Sequence, residues 1–115
     1  MPLTAAMLVG LLCVLSGFAV SVVNRRAADG RLGRNAVAGI RIRATMRSDA
    51  AWQAGHAAAR GLSDASAAVF AMTGVLALVV RDARWFAGVV LVGMTVAAGV
   101  LLAAARRAGV AADRA

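Results

Sequence analysis

Three stretches of the chain carry no charge or almost none: residues 3–23, 62–80 and 85–105, of 21, 19 and 21 residues. At 1.5 Å of rise per residue, helices of these lengths match the roughly 30 Å hydrocarbon layer of a bilayer. The pattern predicts an all-α membrane protein, a single domain with three transmembrane helices. The second stretch is interrupted only by Asp64, near its start. Just four residues, Arg81-Asp82-Ala83-Arg84, separate it from the third, so these two spans form an antiparallel hairpin. Trp85 and Phe86 then fall where aromatic side chains favour the membrane interface.

The polar positions gather in one long segment, residues 24–61, and in a tail, residues 106–115. Residues 24–35 are rich in Arg, Gly and Asp, with Asp29-Gly30 as a turn signal, and read as an exposed connection. Residues 39–45 alternate apolar and cationic side chains. On an extended chain this sends Ile40 and Ile42 to one side and Arg41 and Arg43 to the other. Such a strip suits the lipid headgroups, isoleucines down; for Arg43 and Arg47 the plainer reading is an ordinary loop whose arginines enforce topology. Ser48-Asp49 is a helix start, with a hydroxyl to cap free amides and a carboxylate at the positive end of the dipole. A short interfacial helix from Asp49 to about Ala59 follows. Trp52 and His56, four residues apart, share one face of it beside Gly55 and Ala59. That face suits either the membrane interface or the inner ends of the spans. Whether this helix lies flat or runs on past Gly61 into the second span is open from the sequence.

Charge orients the chain. The thirteen basic residues are all arginine, against five aspartates and no glutamate, for a formal charge of +8. Eight arginines lie between Arg25 and Arg60 and three in the tail, leaving Arg81 and Arg84 in the hairpin. Positive loops stay in the cytoplasm, so the expected topology has the N-terminus outside, the loop and the tail inside, and the protein multi-pass in the cytoplasmic membrane. A cleaved signal peptide is the competing reading of residues 3–23. It requires positive charge ahead of the apolar run, whereas Arg25 and Arg26 follow it.

Composition adds how the spans pack. Hydrophobic residues make up 62% of the chain but aromatics only 4%, so the apolar surface is built from small side chains that let helix backbones approach closely. Gly17 with Ser21 on the first span, and Thr95, Gly99 and Ala103 on the third, show the four-residue spacing of such contacts. They are expected to serve packing within the chain, with a homo-oligomer face as the alternative.

Candidate chemistry is sparse. Cys13, the sole cysteine, lies in the middle of a span, so neither an internal disulfide nor a thiolate metal cage is available. His56, the only histidine, has a reference pKa near 6.5 and invites a pH-switch reading, but alone it makes a poor metal site, and a structural or interfacial role is the blander reading. Trp52 reads first as an interface anchor. Asp64, the only carboxylate within the apolar stretches, is a functional candidate by default, weakened by its place near the start of its stretch; the blander reading pairs it with an arginine such as Arg60, one turn earlier, to fix the helix entrance. No nucleophile and base can be paired, so no enzyme, cofactor or metal is expected. A basic loop beside a bilayer with one aromatic meets anionic lipids more naturally than nucleic acid.

One constellation goes further. Asn35-x3-Gly39-Ile40-Arg41-x3-Thr45-x2-Ser48-x3-Trp52-x3-His56 resembles the signature of the SdpI family of small bacterial membrane proteins. The likeness is close over residues 35–61, and the membrane hairpin that follows agrees with the family's layout. The family's named example is an immunity protein that protects a toxin-producing cell from its own secreted peptide toxin and, with toxin bound, holds a transcriptional repressor at the membrane. The resemblance implies an integral membrane interaction protein in immunity or envelope signalling, with membrane lipids and a peptide toxin, a repressor or another membrane protein as partners. By position it singles out Asn35, Gly39, Arg41, Thr45, Ser48, Trp52 and His56 as binding residues. Elementary chemistry offers each a job: a tight turn at Gly39, phosphate or carboxylate capture by Arg41, amide capping by Thr45 and Ser48, and helix seating by Trp52 and His56. The plain alternative is that the set only folds the loop. A small oligomeric transporter or an accessory subunit of a membrane complex is the competing function, although a cation carrier is expected to hold a carboxylate deep in a span, and none does.

Overall fold

The computed structural model describes residues 2–115, and among them it is helical with no strand. Five helices follow in order: α1 Leu3–Ala28, α2 Arg43–Met46, α3 Asp49–Ala58, α4 Arg60–Val79 and α5 Ala83–Asp113. Three of them, α1, α4 and α5, are long and apolar enough to cross a membrane, so the protein is a multi-pass membrane protein. Helix α4 is central: it packs against both α1 and α5, while α1 and α5 make no Cα approach within 8 Å of each other.

The interior of this bundle is made mostly of small and hydroxylated residues, with the rings of Phe70 and Phe86 as the large exceptions; Phe86 packs on Ala6 and Ala77 rather than at the membrane interface. Gly10 and Gly74 face each other so closely that a Cβ on either would lie 2.8 or 2.5 Å from the other's carbonyl oxygen, and Gly17 sits likewise on the carbonyl of Ala67. Buried Ser66 donates to the carbonyl of Ala97, joining α4 to α5 at 3.0 Å. Large side chains such as Leu8, Leu12, Phe18, Leu91 and Leu102 point outward. This arrangement follows from a lipid solvent, which offers large apolar side chains as much as a protein core does and leaves close backbone packing to hold the helices together. Gly17 and Ser21 thus serve packing within the chain. Thr95, Gly99 and Ala103 instead lie on the exposed face of α5, and a Cβ on Gly99 would meet open space.

Both outer helices overrun their apolar stretches at the loop end of the bundle. Helix α1 continues through Asn24, Arg25 and Arg26, whose cations sit at the negative end of its dipole. It stops at Gly30 (φ 79°), where the amide of Gly30 donates to the carbonyl of Ala27 and that of Arg31 to Arg26, a glycine-terminated helix end of the Schellman type. The tail expected after residue 105 is not a separate strip of chain but the last turns of α5, which reaches Asp113. Helices α3 and α4 are separated by Ala59 alone. Helix α3 packs on α5 and α1, the same two helices that flank α4, so it follows α4 along both neighbours with a one-residue break at Ala59.

Candidate functional site: the loop cap

Residues 30–59 close the loop end of the bundle, and the cap they form is organised around α3. Ser48, in extended conformation (φ −158°), accepts from the amide of Ala51 at 3.0 Å, and Asp49 stands in the first turn. Asp49 also pairs with Arg34 at 3.0 Å, while Arg34 donates to the carbonyl of Met46. Gly55 rests on α5, a Cβ there lying 2.8 Å from Thr45 Cγ2 and 3.1 Å from the carbonyl of Ala108.

Trp52 and His56, 1% and 0% exposed, are the largest fully buried side chains among the described residues. Their rings lie 4.2 Å apart. The indole Nε1 donates to the carbonyl of Leu32 at 2.8 Å. His56 accepts the amide hydrogen of Ile40 at Nε2 (2.8 Å), so the ring proton lies on Nδ1, which donates to the carbonyl of Trp52 (2.7 Å). A backbone amide cannot give up its place to a second proton, so this geometry requires a neutral imidazole; burial accordingly holds the His56 pKa below its ordinary value, partly offset by the Trp52 carbonyl. Trp52 is therefore turned into protein, not into the headgroups, because the loop above it supplies both a roof and a hydrogen-bond acceptor.

The roof is the segment 35–45. Asn35 accepts at Oδ1 from the amides of Val37 (2.9 Å) and Ala38 (2.7 Å) and donates from Nδ2 to the carbonyls of Gly33 and Ala38, which winds the loop around its own side chain. Gly39 (φ 110°) then passes over Trp52 so tightly that a Cβ would stand 2.5 Å from the indole. Thr45 donates to the carbonyl of Ile40 at 2.6 Å and accepts from the amide of Ile42 at 3.2 Å, tying the strip to α2. The alternation expected for residues 39–45 is present, but Ile40 packs on a cluster of Ala59, Ala104 and Ala108 and Ile42 approaches Gly109; the isoleucines meet α5 rather than lipid. Arg41 and Arg43 are exposed. Arg41 is anchored through Nε to the carbonyl of Asn35 at 3.0 Å, which leaves its terminal nitrogens outward.

The structure thus brings all seven motif residues into one unit. Asn35, Gly39, Thr45, Ser48, Trp52 and His56 are joined to one another or to the backbone they hold, and Arg41 is the member whose side chain is exposed. The ion pair expected between Arg60 and Asp64 is absent. Arg60 reaches Asp29 at 2.8 Å, whereas Asp64 faces α1, accepting from Ser21 Oγ (2.6 Å) and Arg25 (3.0 Å). An interhelical partner is nearer to each side chain than the residue one turn away on its own helix. Two contributors carry no local signal. Asn24, 4% exposed, donates to the carbonyl of His56 at 3.0 Å, and its Oδ1 has no hydrogen-bond partner among the described residues; it borders a cavity of about 300 Å³ between α1, residues 38–40 and Leu101 of α5. Arg47 donates to the carbonyl of Ala112 at 2.6 Å, closing the end of α5. Among the described residues, no three His, Cys or Asp side chains converge as a metal site would need.

The profile of the SdpI/YfhL protein family matches residues 31–104, a region running from the start of the cap to the end of the third span. The chain belongs to the SdpI/YfhL family. No curated protein and no solved structure matches it. In this SdpI/YfhL chain, α1 lies ahead of the matched region, yet it supplies Asn24 and Arg25 to the cap and its junction with α4.

Proposed function

We propose that the protein is a membrane-embedded interaction protein that presents its cap to a partner on the cytoplasmic side and acts in immunity or envelope signalling. The observation that carries the reading is the division of labour in the motif: six residues hold the cap rigid, and Arg41 stands outward from it on a fixed backbone anchor. A surface whose loop is already ordered loses little conformational entropy on binding. An arginine fork held at Nε suits a carboxylate or phosphate of the partner. Eleven of the thirteen arginines lie at the loop end of the bundle, which supports a cytoplasmic cap. Among the partners implied by the family, a peptide toxin, a repressor or another membrane protein, the reading requires only one with an anionic group to meet Arg41.

The test is recovery of partners from mild detergent with tagged wild type, Arg41→Ala and Trp52→Ala at matched membrane levels. Wild type is expected to retain a partner that Arg41→Ala loses while its cap stays folded, and Trp52→Ala is expected to lose cap and partner together. Recovery of the same material by wild type and Arg41→Ala would refute the role given to the exposed arginine.

A further inference from the structure

All five aspartates lie within 4 Å of an arginine: Asp29 with Arg60, Asp49 with Arg34, Asp64 with Arg25, Asp82 with Arg84 and Asp113 with Arg47. That leaves several arginines with no carboxylate partner among the described residues, and three of these, Arg106, Arg107 and Arg114, border a single groove of about 520 Å³ between α5 and the junction of α3 with α4. Its floor is apolar, formed by Leu62, Ala103 and Val110 with Ala58 and Ala111. Leu62 opens the second apolar stretch and Ala103 nearly closes the third, so the floor lies at the edge of the hydrocarbon layer and the guanidinium groups stand just beyond it. That is the depth of lipid phosphates. Asp113 is engaged by Arg47 at 3.7 Å, and Arg47 also covers the carbonyl of Ala112, which reduces the negative character of the α5 terminus near the groove.

We infer that this groove is a binding site for an anionic glycerophospholipid of the adjoining leaflet, its phosphate held by Arg106, Arg107 and Arg114 and the start of an acyl chain laid over Leu62 and Ala103. Guanidinium groups bind phosphate through paired, charge-assisted N–H donors, and their methylene stems lie along apolar surface while the charge reaches the headgroup. A basic pocket between membrane helices at the headgroup level has the chemistry that selects charged lipids from neutral ones. The inference is independent of the role given to Arg41, which lies in the roof of the cap.

The experiment is native mass spectrometry of the detergent-purified full chain titrated with phosphatidylglycerol or phosphatidylcholine. Three proteins are compared: wild type, the triple variant Arg106→Gln, Arg107→Gln, Arg114→Gln, and a control triple Arg26→Gln, Arg31→Gln, Arg43→Gln that removes the same charge from the same end of the bundle. Wild type and control are expected to retain phosphatidylglycerol at least tenfold better than phosphatidylcholine, and the groove triple to lose that preference. Should the groove triple not accumulate, the single variants are each expected to lower retention at least threefold, and unchanged retention in all three singles overturns the site. Equal loss in both triples means attraction by net charge alone and overturns it. Displacement of the lipid by millimolar inorganic phosphate would show a site for free phosphate and overturns the lipid assignment.

Discussion

Replacing Gly39 by alanine tests the organisation of the cap at its tightest point. The new Cβ would lie 2.5 Å from Trp52 Cη2, 2.9 Å from Cζ2 and 3.0 Å from His56 Nε2. Carbon atoms rest about 3.5–4.0 Å apart, so the ring or the loop must shift by roughly 1 Å. The indole has no free direction, being 1% exposed and tied to the carbonyl of Leu32. A shift of the loop instead stretches the bond from Ile40 to His56. Overpacking of this kind costs about 1–3 kcal/mol, and a side chain at φ 110° adds about 1–3 kcal/mol of backbone strain. The expected loss of cap stability is therefore about 2–6 kcal/mol, enough to open the cap in much of the population. Trp85, the second tryptophan, is 70% exposed at the far end, so a Trp85→Phe background leaves Trp52 as the only indole. Its emission reports the cap: blue-shifted when buried, red-shifted when the cap opens to water. Gly33→Ala, where a Cβ meets nothing within 4 Å, is expected to change the thermal midpoint of that signal by no more than about 0.5 kcal/mol equivalent. If Gly39→Ala keeps the blue emission and a midpoint matching that of Gly33→Ala, the close passage of the loop over Trp52 is wrong.

The same signal checks two further outcomes. His56 titrates lower in the folded cap than in the unfolded chain, so the unfolded state takes up its proton first; the stability from a neutral His56 is whole above about pH 6.5 and falls as the pH is lowered below that value, a slope that His56→Ala removes. Asn24→Ala leaves the buried carbonyl of His56 without its donor and is expected to cost about 1–3 kcal/mol; a midpoint equal to wild type would mean that α1 does not anchor the cap. In the bundle, Gly74→Ala drives a Cβ onto the backbone of Gly10 and is expected to cost about 1–3 kcal/mol, whereas Gly99→Ala meets open space and is neutral or mildly stabilising. Melting of the two variants in detergent, followed by circular dichroism, separates them; equal midpoints would refute the close approach of α1 and α4.

The amino-acid sequence by itself determined the three spans, the tight hairpin at residues 81–84 and the start of α3 at Ser48, because hydropathy and helix capping are properties of neighbouring residues and survive without knowledge of the fold. It also marked the seven motif positions, whose spacing is a local pattern even where the reason for it is not. Tertiary structure decided what those positions do. Trp52 reads as a membrane anchor until the carbonyl of Leu32, twenty residues away, is placed over its indole nitrogen. Ile40 and Ile42 alternate with arginines as a headgroup strip would, and only the extension of α5 past residue 105 gives them a protein surface to cover. Asp64 has an arginine one turn before it, yet the packing of α1 on α4 brings Ser21 and Arg25 closer. Asn24 and Arg47 find their partners 32 and 65 residues away. Hydrogen bonds and ion pairs act over a few ångströms in space, and separation along the chain says little about that distance once helices fold back on one another.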